Sequence, residues 1–321
     1  MEKIVILGKI PSPIGGVTIH VFRLLARLEL SNVKYVFRRL NKLTLLLLPF
    51  LLAKCPLIHV HSSNPYIRYL VCVLAKFYTI KTIVTFHGDL LRYKSGFKNY
   101  LDFKTIGHAD FPIVLNENSY KISKRLNNNS RLISAFIPPI LENEYLNAEC
   151  IEQINILKNT KKIMFCTNAF NMSFDKNKNE IYGIFELIDF FIKNSKYGLV
   201  FSDPSGVYSN EFSKRQIIIP DNIFVIKDSH SFFKILTLCD VSIRNTSTDG
   251  DSLSVKESIF LNILTLCTDV VSRPKEAFVY KRGTIGTVIN SININNQNII
   301  HSTIKDGSEE LIDLYRQNLN I

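Results

Sequence analysis

No two of the six cysteines form a CxxC pair, and no acidic ligand stands at metal-binding spacing from the histidines. Cys55, Cys72, Cys150, Cys166, Cys239 and Cys267 are scattered, most of them inside apolar runs such as Ile163-Met164-Phe165-Cys166. A thiol in such a run behaves as a small hydrophobe. The set therefore reads as buried free thiols in a reducing compartment, with no disulfide framework and no metal site. Long hydrophobic runs are also missing. The most lipophilic stretch, Leu43 to Leu52, is broken by Pro49 and falls well short of the ~20 residues needed to cross a bilayer. A secretory leader is not visible: Lys3-Ile4-Val5-Ile6-Leu7-Gly8 is short, with no small-residue cleavage site after it. The expected location is cytoplasmic. Repeats and low-complexity segments are absent too, the Asn-rich stretch Ile292–Asn298 reading as a surface loop.

What is present suits a folded chain of about two domains: 321 residues, 46% hydrophobic and 21% charged. The net charge of +11 is unevenly placed. Residues 1–140 carry 20 Lys and Arg against 6 Asp and Glu, whereas residues 141–321 carry 19 against 22. A basic half suits either a nucleic acid or an anionic membrane surface, and charge alone does not separate the two.

Strand-like and helix-like stretches alternate in both halves, the pattern of an α/β protein built on parallel sheets. Ile4–Leu7, Leu57–His61, Thr82–Phe86 and Phe111–Leu115 are the strands expected in the first half, with helices at Thr18–Leu28 and Tyr66–Tyr78. The alternation stops at Ile137-Pro138-Pro139, where two prolines favour an extended linker. A polar segment, Glu142–Thr160, follows. Strands are then expected at Lys162–Cys166, Tyr197–Ser202, Asn222–Ile226, Val241–Arg244 and Leu264–Cys267. Helices are expected at Ile181–Lys193, Ser231–Cys239 and Ser252–Leu261. These place one domain over 1–140 and a second over 141–303, with an amphipathic tail helix in 304–321 packing back on the first.

Three motifs lie where open α/β sheets bind ligands, beyond the carboxyl ends of strands. Pro11-Ser12-Pro13-Ile14-Gly15-Gly16-Val17 follows the first strand. Gly15 and Gly16 there permit positive φ and close backbone approach. No GxGxxG fingerprint accompanies them, which disfavours a dinucleotide site. Thr85-Phe86-His87-Gly88-Asp89 ends another strand and projects His87 toward the same edge, while His59 and His61 share one strand face. The third motif runs from Arg244 through Asp249-Gly250-Asp251-Ser252-Leu253-Ser254 to Glu257. Asp251 or Ser252 can cap the helix, whose free amides suit a diphosphate. Arg244 can neutralise phosphate, and the carboxylates of Asp249 and Glu257 suit sugar hydroxyls. A capped surface helix with solvated charges is the plainer alternative.

The third motif resembles the donor-sugar motif of the retaining GT-B glycosyltransferases of family GT4, in which two glutamates flank seven residues. Asp249 stands at the first and Glu257 at the second. Gly15-Gly16-Val17 is similar to that family's opening loop, and Thr85–Asp89 to its active-site histidine segment. Ala109–Glu117, followed by Phe136–Pro139, resembles the end of its acceptor domain. The resemblance implies two facing Rossmann-like domains with a cleft between them, acceptor side first. Glu257 would hold the ribose, Asp249 the sugar hydroxyls, amides from Gly250 to Ser254 the diphosphate, and His87 the sugar near the reacting centre. It implies no metal and no cofactor beyond the nucleotide-sugar donor.

The sequence departs from the family at two points. Asp249 is one methylene shorter than Glu, and the usual Arg and Lys after the first strand of the second domain are missing. That region reads Thr167-Asn168-Ala169-Phe170-Asn171, with Lys176 and Lys178 further on. Arg244 is the expected substitute. Arg23, Arg27, Arg38, Arg39 and Lys42 are expected in or near helical segments around Leu43–Leu52. Such a surface would dock an inner-membrane face carrying a polyprenyl-diphosphate-linked glycan. The expected activity is therefore sugar transfer in bacterial surface polysaccharide synthesis, without nucleic acid as partner. A nucleotide-sugar epimerase and a non-catalytic scaffold are the alternatives.

Overall fold

The computed structural model describes residues 3–319 apart from 12–14, 54, 176, 250–251 and 292–301. The Asn-rich stretch and two of the donor-motif positions, Gly250 and Asp251, thus lie outside the described residues. The chain forms two compact units, one of Met1–Pro138 with Lys305–Ile321, the other of Pro139–Ile304.

In chain order the first unit contains β1 (Ile4–Gly8), α1 (Gly16–Leu30), β2 (Tyr35–Arg39), α2 (Lys42–Leu46), α3 (Leu48–Leu52) and β3 (Leu57–His61). It continues with α4 (Pro65–Phe77), β4 (Lys81–Phe86), α5 (Gly96–His108), β5 (Phe111–Val114), α6 (Glu117–Leu126) and β6 (Arg131–Leu132). The second unit contains α7 (Ala148–Thr160), β7 (Met164–Asn168), α8 (Ile184–Lys193), β8 (Gly198–Ser202), α9 (Val207–Lys214) and β9 (Ile223–Ile226). After these come α10 (Phe232–Leu236), β10 (Val241–Arg244), α11 (Leu253–Phe260), β11 (Leu264–Thr268), β12 (Phe278–Tyr280) and α12 (Ile285–Ser291). The tail helix α13 (Gly307–Leu319) returns to the first unit.

Each unit is built on a six-stranded sheet whose paired strands all run parallel, in the order β2-β1-β3-β4-β5-β6 in one and β12-β11-β10-β7-β8-β9 in the other. Parallel strands need crossover helices, which cover both sheet faces, so the inner strands read as unbroken apolar runs. β1, β3 and β8 are buried at every position. In each sheet the order reverses at one place, between β1 and β3 and between β7 and β10. Loops diverge there, leaving a crevice at the strand carboxyl ends.

Several elements depart from the sequence reading. Arg38 and Arg39 end strand β2, an element the sequence reading did not assign, shortly before α2. β2 is an edge strand with no fully buried residue, so it lacks the apolar signature of the inner strands. Leu43–Leu52 is split into α2 and α3 at Leu47, with Pro49 in the first turn of α3, where its missing N–H is tolerated. Pro139 is followed by one 3-10 turn, and most of the polar segment becomes α7.

Within the first unit, α13 packs on the core formed by β1, β3, β4 and α1. Leu311, Leu314, Tyr315 and Leu319 are buried against Ile4, Ile6, Leu24, Leu57 and Ile83. Gly307 starts the helix with its N–H donating to the Phe136 carbonyl at 2.8 Å, and a Cβ there would lie 2.0 Å from the Ser134 carbonyl oxygen. Arg23 and Arg27 donate to the carbonyls of Ile137 and Pro138 at 3.5 and 3.1 Å. Arg23 is only 4% exposed, so it belongs to the interior of the unit and not to a docking surface.

Candidate functional site

The second unit gathers charge at its reversal point. Arg244 closes β10 and turns its guanidinium onto Asp249, with Nε and Nη2 donating to the two carboxylate oxygens at 3.0 and 2.9 Å. Arg273, from the segment after β11, donates its Nη1 to Asp249 at 2.8 Å and its Nε to the Thr268 carbonyl at 3.0 Å. The three side chains are 13%, 6% and 3% exposed for Arg244, Asp249 and Arg273. Burial alone would raise the Asp249 carboxyl, but the two guanidiniums outweigh it and hold the pKa below its ordinary value. Burial likewise works against the Arg244 charge, and Asp249 more than restores it. Two cations share one anion, so these three side chains together carry a net positive charge beside the start of α11.

Asp249 was expected to reach toward sugar hydroxyls and Arg244 toward phosphate. They instead hold each other, and Arg273 joins them. Arg273 carried no local signal, since it stands in the irregular segment Ser272-Arg273-Pro274 and meets Asp249 only through the adjacency of β10 and β11. Ser252 occupies the N-cap of α11 without a side-chain cap bond, Oγ lying 3.1 Å from Ser254 Oγ, and Leu253 opens the helix. Glu257 lies one turn in and is 4% exposed. Arg244 also stacks over the Tyr182 ring, 5.1 Å from its centroid.

The loop from β7 to α8 has the opposite character. Glu180 accepts from the backbone N–H groups of Tyr182 and Ile184 at 2.9 and 2.8 Å, and from the Tyr208 hydroxyl. Its carboxylate thereby fills the helix N-terminus, where anions are favoured. Gly183 at the N-cap has φ +64°, and a Cβ there would sit 2.3 Å from the Asn245 carbonyl oxygen. Arg282 donates to the Glu180 carbonyl at 2.6 Å, and among the described residues its buried Nη1 has no hydrogen-bond partner. Lys178 is exposed at φ +63°, and Lys176 lies outside the described residues.

The first unit gathers histidines. His59 and His61 lie on β3, His87 directly follows β4, and His20 lies in α1. His59 is satisfied on both nitrogens, Nδ1 with the Tyr315 hydroxyl at 2.5 Å and Nε2 with Thr85 Oγ1 at 2.8 Å. His61 Nδ1 meets His87 Nε2 at 3.0 Å, and His20 Nδ1 meets the Ala135 carbonyl at 2.8 Å. Burial, reinforced by the neighbouring imidazoles, holds His59 and His61 well below the ordinary histidine pKa. Burial does the same to His87, with the charges of His20, His59, Arg68 and Arg92 adding to it. His59, His61 and His87 are therefore neutral near pH 7. The sequence reading left these residues without a metal role. The fold nevertheless brings ligand-capable nitrogens of His20, His61 and His87 within 4.8 Å of one another.

The glycine loop is plainer than expected. Gly15 is extended at φ −175°, Gly16 opens α1 with no described residue in the space a Cβ would take, and Val17 is half-buried. Neither glycine uses a left-handed conformation, and Ser12 to Ile14 lie outside the described residues. Gly88 matters for contact, because the Arg92 guanidinium rests where a Cβ would be.

No family model and no curated protein matches this chain. Solved structures do. Anabaena HepE in complex with UDP-glucose is 10% identical with a TM-score of 0.66, covering 99% of this chain and 98% of its own. Sucrose-phosphate synthase from Thermosynechococcus elongatus is 12% identical with a TM-score of 0.67, covering 99% and 100%. UDP-GlcNAc 2-epimerase from Methanocaldococcus jannaschii is 11% identical with a TM-score of 0.67, again covering 99% and 100%. At these identities the likeness establishes the fold. It is GT-B, with two Rossmann-like domains that each carry a parallel sheet.

Proposed function

We propose that this chain is a nucleotide-sugar-dependent glycosyltransferase, with its donor site at the reversal point of the second unit's sheet. The observation that carries this reading is the buried Arg244–Asp249–Arg273 cluster. It is net positive and stands at the strand carboxyl ends beside α11, which also holds Glu257. A diphosphate is the ligand such a site suits, because the positive charge that Asp249 holds in place and the helix amides attract it from the same side. Arg273 with Arg244 takes over the grip that the loop after β7 lacks. Glu257 binds the ribose, and Asp249 contributes mainly by aiming the two guanidiniums. His87 serves the reacting sugar, with retention of anomeric configuration. The uridine nucleotides named for the neighbouring structures make UDP the first nucleotide to try.

Calorimetric titration against UDP, GDP and dTDP and their sugars tests the donor site. One nucleotide should bind, and both Glu257→Ala and Arg273→Ala should weaken it at least about tenfold. Absence of binding to the whole panel overturns the donor site and leaves the scaffold reading. An epimerase is the second reading, favoured by the 2-epimerase whose TM-score equals that of the synthase. It predicts isomerised sugar from donor alone, whereas a transferase needs an acceptor.

The acceptor reading rests on α2 and α3. Leu43, Leu46 and Phe50 are 62%, 75% and 72% exposed, beside exposed Arg38, Arg39 and Lys42. An apolar and basic surface of this kind suits the headgroup region of an anionic bilayer, where a polyprenyl-diphosphate acceptor would be carried. Flotation with anionic vesicles should exceed that with neutral ones and fall with salt. Equal recovery with both refutes the docking role.

A further inference from the structure

His20, His61 and His87 arrive from three separate elements and form a nearly equilateral triangle, with ring centroids 5.2, 5.1 and 5.3 Å apart. Packing alone gives a poor account of this arrangement. Buried imidazoles are ordinarily bonded at both nitrogens, and His59 in the same core is bonded that way. His61 is not: Nδ1 faces His87 Nε2 at 3.0 Å, and among the described residues its buried Nε2 has no hydrogen-bond partner.

Two features organise the triangle for coordination. His20 Nδ1 bonds the Ala135 carbonyl at 2.8 Å, which puts the ring proton on Nδ1 and the lone pair on Nε2. Metal-ligating histidines are typically oriented by such a bond. Gly8, at the end of β1, lets the layers approach, since a Cβ there would lie 3.2 Å from Val21 and 3.3 Å from the His61 Cβ. The nitrogen spacing is also suitable. Four ligands about 2.0–2.1 Å from zinc stand roughly 3.3 Å from one another in a tetrahedron, close to the 3.0 Å between His61 and His87. The remaining separations, at most 4.8 Å, close by small ring rotations. His87 is half-buried whereas His20 and His61 are 2% and 1% exposed, so the approach from solvent lies on the His87 side.

We propose that His20, His61 and His87 together bind one divalent transition-metal ion, zinc foremost, with a fourth position open to water. Neutral imidazoles without a carboxylate select zinc, copper or nickel over magnesium and calcium. Binding replaces the hydrogen bond between His61 and His87 and needs one tautomeric shift in that pair, with no net proton lost. Two cations lie in range. Arg68 is neutralised by Asp102, and Arg92 bonds the Ser63 carbonyl and the Tyr93 hydroxyl. Their field weakens the site relative to a neutral surround and favours a borderline ion on nitrogen donors over a hard one. The proposal needs none of the second unit's donor-site residues, but it engages His87, so a bound ion and the reacting sugar would meet at that one imidazole.

Titration of the full chain, first stripped with a chelator, with Co2+ and then Zn2+ tests the site. One equivalent of Co2+ should give the intense visible absorption of tetrahedral coordination, and Zn2+ should displace it. His87→Gln, at a half-buried position, should weaken binding at least about tenfold, as should His20→Gln. His108→Gln, at the half-buried last residue of α5, should leave it unchanged. X-ray absorption of the zinc-loaded wild-type chain should show three imidazoles, independently of how any variant folds. No uptake by the wild-type chain, a weak octahedral Co2+ spectrum, or binding insensitive to His87→Gln each overturns the proposal.

Discussion

Asp249 illustrates how the role of a residue depends on its neighbours. By sequence it is an acidic group in a polar turn. In the fold, both carboxylate oxygens accept from guanidiniums, and removing the carboxylate leaves two buried cations facing each other. Asp249→Ala should therefore cost about 3–5 kcal/mol in urea unfolding, the range for breaking a buried ion pair. A loss below ~1 kcal/mol would mean that water compensates the arginines. Gly183 is the other residue at which chemistry leaves little choice. Its left-handed φ and its approach to the Asn245 carbonyl both exclude a Cβ. Gly183→Ala should lower stability by more than the ~1–2 kcal/mol of the left-handed conformation alone. An unchanged denaturant midpoint would contradict that close approach.

At the scale of elements, α13 does more than cover apolar surface. It carries the hydroxyl that satisfies His59 at the centre of the first unit's sheet. Tyr315→Phe keeps the packing and removes that hydroxyl, leaving a buried imidazole nitrogen unpaired. The expected cost is about 1–3 kcal/mol, read by chemical denaturation. A neutral result would show that His59 finds another partner. β2 and β12 are the opposite case. Both are edge strands with little burial, so neither carries the unbroken apolar run by which the inner strands are legible.

For the whole molecule, acid should act on the second unit through His230. This imidazole is held between Ser202 Oγ at 2.7 Å and the Asp228 carbonyl at 3.0 Å, 8% exposed. Burial lowers its pKa, against the backbone of Asp228 and Lys227 and the charges of Asp228 and Asp203, which pull the other way. The unfolded chain protonates near 6.5 while the fold resists, so stability is full above that pH and declines below it. The decline should be at most about 1.4 kcal/mol per pH unit from this group, and His230→Gln should reduce the slope by that share, the buried His59, His61 and His87 adding their own. Denaturant midpoints at pH 7.5, 6.5 and 5.5, taken with chelator present, measure it. A wild-type profile flat over that range would remove His230 from the account.

The α/β class with two parallel sheets was legible because it rests on local signals: short apolar runs, amphipathic stretches between them, and a double proline where the cycle restarts. The candidate residues were legible one at a time for the same reason, since His87, Arg244 and Glu257 each sit at a strand end or in a helix start. Their partners were not. Arg273 reaches Asp249 because β11 lies beside β10, and His20 reaches His61 because α1 packs against β3 across Gly8. Arg23 and Arg27, read as surface charges on a helix, turn inward to carbonyls of the segment before the second unit. The sequence by itself determined the elements and the ends at which chemistry gathers, because propensity and periodicity act within a few residues. Only the tertiary structure decided strand order, and with it which distant side chains share a site, because pairing parallel strands across long crossovers is a property of the packed whole.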